Sequence, residues 1–126
     1  MTPADLIWNR AAMNDGGPNP ADGDTALAAL LYVHGLVMNG GVLHAAETCS
    51  SDDIDNALAG YAFFGFDNVH PIFSDARQAI DAGSDLAELE STLDQRYLQQ
   101  IPSDSTLSNA FEASLAQHPA SFSPLQ

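Results

Sequence analysis

Apolar side chains recur at three- and four-residue spacing along most of the chain, and glycine, proline or an N-capping residue breaks the pattern at short intervals. Such punctuation calls for short amphipathic helices, because each apolar stripe needs a partner and no segment shows the period-two alternation of half-buried strands. The longest regular stretch, Asp85 to Ile101, sets Leu86, Leu89, Leu93, Tyr97 and Ile101 on one stripe and stops at Pro102. The expected fold is all-α, a compact bundle of six or seven short helices. With 126 residues, 45% of them hydrophobic, the chain can build one core, so residues 1–126 are expected to form a single acidic helical domain.

Local signals place the other elements. Thr2-Pro3-Ala4-Asp5 has capping-box spacing with proline at the first helical position, and it predicts a helix through about Met13 with Leu6, Met13 and either Trp8 or Asn9 inward, beside Ile7. Asn14 to Asp24 (NDGGPNPADGD) reads as a surface loop, since its glycines and prolines deny a helix both entropy and hydrogen bonds. A second helix is expected from Thr25 to Met38, ending at Asn39-Gly40-Gly41, and a third over Val42 to Thr48. Ser50 and Asp53 cap a fourth helix carrying Ile54, Leu58 and Tyr61, with Gly65 at its end. Asp67 is expected to cap a fifth, Asn68 to Ala82, stopped by Gly83. The last helix is expected over Thr106 to Gln117, followed by an irregular tail from His118.

Charge is the strongest functional signal. Against 17 acidic residues stand only Arg10, Arg77 and Arg96, with no lysine, giving a formal net charge of −14. That balance opposes direct contact with nucleic acid or an anionic membrane and steers cationic partners inward. Solubility would account for the same charge, and so would adaptation to high salt, where repulsion among carboxylates is screened. Many carboxylates also have a local duty, because Asp5, Asp22 or Asp24, Asp52, Asp53, Asp67, Asp85 and Asp104 stand at helix starts, where they face free amides and the helix dipole. What remains is a candidate protein-binding surface of Asp81, Asp85, Glu88, Glu90 and Asp94 around the sixth helix, joined by Asp52, Asp53 and Asp55, while Asp15, Asp22 and Asp24 form a third concentration. Glu90 and Asp94 repel as an i,i+4 like-charge pair that Arg96 partly offsets.

Catalytic and cofactor signals are weak. His34, His44, His70 and His118 are scattered. No HExxH, cysteine pair, GxSxG or phosphate-loop pattern occurs, so no catalytic residue, metal ligand or cofactor is expected. His34, inside the apolar second helix, reads as a hydrogen-bonded core or interface residue, and Cys49 as a small buried hydrophobe. A small-molecule site or enzyme using His34, His44 or Cys49 would require a deep pocket joining them. Phe63, Phe64 and Phe66 read as core or interface side chains. The longest apolar run, Ala26 to Met38, is too short to span a bilayer, no signal-peptide pattern opens the chain, and a cytoplasmic location is expected.

The segment Ala28-Ala29-Leu30-Leu31-Tyr32-Val33-His34-Gly35-Leu36-Val37-Met38-Asn39-Gly40-Gly41-Val42-Leu43-His44 resembles a bacterial acidic domain family associated with DNA mimicry, in which an amphipathic helix runs into an NGG turn. The stretch Ala57 to Val69, a helix ending at a glycine before another helix, resembles the family's next landmark. The likeness spans about residues 25 to 82, with Val42 in place of the usual aromatic and His44 in place of glutamine. It implies an all-helical protein, a homodimer, and a noncatalytic surface that imitates DNA toward a basic DNA-binding protein.

Overall fold

The computed structural model describes residues 1–125, among which lie seven α-helices, one 3-10 turn and no strand. In chain order they are α1 (Pro3–Asn14), α2 (Asp22–Gly40), α3 (Val42–Thr48), α4 (Ser51–Phe63), α5 (Val69–Asp81), α6 (Leu86–Gln100) and α7 (Asp104–Gln117), with the turn at Pro119–Ser121. The all-helical expectation holds, at the upper helix count.

The Thr2 capping box forms as expected: the Asp5 amide donates to Thr2 Oγ1 at 3.1 Å, and the Thr2 amide donates to the Asp5 carboxylate at 3.0 Å. Those bonds hold the Asp5 carboxyl below the usual carboxylate range. The stripe expected for α1 is in the wrong register. Ile7 and Ala11 are buried, Trp8 is half-buried against Phe111, and Leu6 and Met13 are exposed. Ile7 and Ala11 define the buried stripe and Arg10 flanks it, reaching Asp24; Leu6 and Met13 lie a further roughly 40–60° round the helix beyond Arg10 and so face outward.

The loop is also shorter than expected, because Asp22-Gly23-Asp24 forms the first turn of α2. The glycine there serves close packing rather than helix breaking. A Cβ at Gly23 would lie 2.6 Å from the Ser121 carbonyl and 2.8 Å from the Phe122 ring. Asp24 is fully buried and caps the helix, accepting from the Ala21 amide at 3.0 Å. At the other end Asn39 and Gly40 stay helical. Gly41 alone makes the turn into α3, at φ 95°.

Helices α2 and α4 form the centre, where Leu27, Leu30 and Val33 meet Ile54, Ala57 and Tyr61. Their backbones come very close: a Cβ on Gly60 would overlap the Ala26 carbonyl oxygen. Ile72, Phe73 and Ala76 of α5 and Leu93 and Tyr97 of α6 continue the same core. Ser50 caps α4 through the Asp53 amide at 3.1 Å, and Gly65, at φ 90°, follows its end. The expected Asp67 cap is absent. Asn68 stands at the cap position without a side-chain bond, and a backbone turn takes the first amides instead, Val69 to Phe66 and His70 to Asp67.

The tail from His118 forms the turn Pro119–Ser121 and is irregular over residues 122–125, yet it packs on the core. Phe122 is buried and packs edge-on against Phe111, and its ring also lies near Phe64. The residues that follow meet Arg10 and Asp24. Arg10 donates to Asp24 at 2.8 Å and to the Ser123 carbonyl at 2.9 Å, while the Ser123 amide donates to Asp24 at 2.7 Å. This clasp joins both ends of the chain to the start of α2. No helix is long and apolar enough to cross a membrane among the described residues.

Candidate interaction surface

All three arginines are engaged inside the molecule. Besides the Arg10–Asp24 pair, Arg77 on α5 reaches Asp55 on α4 at 2.8 Å, and Arg96 on α6 reaches Asp75 on α5 at 2.7 Å. Arg96 therefore makes its ion pair with α5 and not with the α6 carboxylates that the sequence expects it to offset in part. Its direction is set by the α5 neighbour across the helix contact. Of the 17 carboxylates, three are held by arginine and Asp104 by His34, so most of the acidic coat meets water without an opposing guanidinium.

The fold brings the first cluster to part of the second. Asp52 and Asp53 occupy the first turn of α4, where the helix dipole stabilises them. Asp52 and Asp55 are exposed and Asp53 is half-buried. Arg77 also donates to the Ser51 carbonyl at 3.3 Å, and it lines a small cavity of about 190 Å³ together with Ser51 and Asp81. The start of α4 and the end of α5 thus meet at Arg77, which Asp55 and Asp81 flank, with Asp52 and Asp53 in the same first turn of α4 as Ser51.

The α6 carboxylates do not share one face. Asp85 is the N-cap, accepting from the Ala87 amide at 3.1 Å, and is exposed. At about 100° per residue, Glu88 and Glu90 project roughly 160° apart, whereas Glu90 and Asp94 lie within about 40°. Both glutamates are exposed. Asp94 is half-buried and bonded, because its carboxylate accepts from the Val42 amide at 2.9 Å and lies against Gly41. It caps α3 from another helix, a duty that local sequence could not reveal. The third concentration loses Asp24 to the core and keeps Asp15 and Asp22 exposed.

Sequence reasoning missed Asp104 as a surface group, having counted it as a cap. Its side chain is 80% exposed, and one oxygen accepts from His34 Nε2 at 2.8 Å. His34 is buried as expected, and its Nδ1 faces the Tyr97 hydroxyl at 2.7 Å, which meets the Tyr61 hydroxyl at 2.6 Å. Burial, first of all, raises the proton affinity of both phenols. The signal was an apolar helix interrupted by one histidine, whose partners lie far along the chain.

The three groups considered for chemistry are not assembled. His34 sits in that buried chain, His44 meets Thr48 on its own helix at 3.5 Å, and Cys49 borders the small cavity beside Arg77. Cys49 is half-buried rather than fully buried. Desolvation, then the Asp53 charge, raises its thiol pKa, the reverse of what a nucleophile needs. Among the described residues no three His, Cys, Asp or Glu side chains are placed to hold a metal ion. Phe64 and Phe66 pack against the core, and Phe63 is exposed.

Comparison with family models matches residues 21–121 to the model described as DMP19-like protein. Comparisons with curated proteins and with solved structures give no match.

Proposed function

The chain belongs to the DMP19-like family, and from that premise we propose that it is a noncatalytic DNA mimic that binds a basic DNA-binding protein through its surface carboxylates. The observation that carries this reading is the internal engagement of every arginine, which leaves a coat of carboxylates on the outside. Carboxylates fixed on helices can occupy places where such a partner expects phosphates, and docking then releases counterions much as a duplex does.

The proposed contact residues are Asp52, Asp53, Asp55, Asp81, Asp85, Glu88, Glu90 and Asp94. The start of α4 with the end of α5 forms one patch and the outer sides of α6 a second. Asp55 and Asp94 act within these patches through their ties to Arg77 and Val42, as supports for their neighbours. The reading includes no direct contact with nucleic acid or membrane, no cofactor, a cytoplasmic location and a homodimeric assembly.

The test is capture of partners by the immobilised full chain at low salt, followed by challenge with duplex DNA. A DNA-binding protein that duplex releases, and whose retention falls at least about tenfold between about 50 and 200 mM salt, supports mimicry. Recovery of neutral or acidic proteins alone, indifferent to duplex, overturns it.

A further inference from the structure

Four side chains from four helices form one unbranched hydrogen-bond chain: Tyr61 of α4, Tyr97 of α6, His34 of α2 and Asp104 of α7. The two phenols are essentially inaccessible and the imidazole is nearly so, whereas the carboxylate end is open to water. Among the described residues, neither hydroxyl has a hydrogen-bond partner outside the chain. Among the described residues, the one charged group within salt-bridge distance of the imidazole is Asp104.

Proton counting fixes the direction of the chain. An ionised carboxylate only accepts, so His34 donates from Nε2 and its Nδ1 must accept. The Tyr97 hydroxyl then donates to Nδ1, and the Tyr61 hydroxyl donates to the Tyr97 oxygen. Three protons fill three gaps, all pointing toward Asp104. A proton added to Nδ1 makes it a donor to Tyr97. One phenolic hydrogen is then left without an acceptor inside the core, whichever way the two hydroxyls rotate.

We propose that this chain is a proton-sensitive latch that fastens the start of α7 to the bundle, closed with three protons and loosened by a fourth. The latch has a mechanical target, since the start of α7 is held by this bond and by Leu107 and Phe111. The surplus hydrogen is relieved only when the chain opens enough for water to accept it, and the end open to water is Asp104, at the start of α7. The strengthened imidazolium–carboxylate bond does not prevent this, because its carboxylate lies in water, where such pairs contribute little, while the stranded hydroxyl lies in the core. The proposal stands apart from DNA mimicry and concerns the free protein.

Amide hydrogen exchange of the full chain, corrected for intrinsic rates, tests it at about pH 7.5 and about pH 5.5, the range in which imidazole takes a proton. Protection over the first two turns of α7, relative to α4, is expected to fall about tenfold in the acid sample, the size expected for one stranded buried hydroxyl. His34→Gln offers an amide donor toward Asp104 and a carbonyl acceptor toward Tyr97 without titrating, so its protection should not change with pH. A wild-type ratio independent of pH, or an equal fall in H34Q, which keeps His44, His70 and His118, overturns the latch. Nitrogen NMR of the wild-type imidazole gives a second test should H34Q not fold. The neutral ring must carry its proton on Nε2, and a proton on Nδ1 would overturn the proposal.

Discussion

Single residues are where charge and structure part company. Asp24 and Asp104 look alike in sequence, each in the first turn of a helix, yet one is fully buried and the other 80% exposed. Asp24 is bonded to Arg10 and to two backbone amides. Arg10→Ala leaves that carboxylate in the core without its counterion, and a loss of roughly 3–5 kcal/mol in chemical denaturation is expected, as for other broken buried pairs. The Asp5 carboxyl, held low by the Thr2 cap, adds stability that is complete above the ordinary aspartate range and is lost as pH falls through its lowered value. Asp5→Asn should flatten that acid limb of the stability profile, and an unchanged limb would assign it to other carboxylates. Cys49, with its thiol pushed up by burial, should react with iodoacetamide at neutral pH more slowly than a free cysteine does. Local patterns showed His34 as a polar break in an apolar stripe, but not its partners, because those stand on α4, α6 and α7.

At the scale of elements, the helices themselves were legible because each carries its own start and stop. Thr2 and Ser50 cap as their spacing indicated, and Gly65 and Gly83 take the positive φ angles of helix ends. The errors fall where a distant segment decides. Gly23 reads as a helix breaker and is a contact for the tail, Asp67 reads as a cap and is replaced by a backbone turn, and Asp94 reads as surface charge and caps α3. These two kinds of glycine and aspartate have the same local sequence chemistry, so only the folded chain separates them. Gly60→Ala should cost about 1–3 kcal/mol, since the new methyl meets the Ala26 carbonyl and α2 and α4 must separate. Asp94 allows charge and cap to be tested apart. Asp94→Asn keeps an acceptor for the Val42 amide and should retain most stability, whereas Asp94→Ala should lose about 0.5–2 kcal/mol in thermal or urea unfolding.

Across the whole molecule, a small set of cations is spent entirely on joining elements: α1 to α2 and the tail, α4 to α5, and α5 to α6. The outer surface is therefore acidic by construction as well as by composition. The net charge could be read from the sequence, but its division into an α4–α5 patch and two sides of α6 could not, because a helix separates residues two apart by nearly half a turn. The most direct measurement of the central claim is the affinity of the captured DNA-binding partner for a variant carrying Asp52→Asn, Asp53→Asn, Asp81→Asn, Glu88→Gln and Glu90→Gln, with Asp55, Asp85 and Asp94 kept for their structural bonds. A DNA mimic predicts affinity at least about tenfold weaker at low salt, with a shallower salt dependence and an unchanged helical circular dichroism spectrum. Wild-type affinity in that folded variant would contradict it.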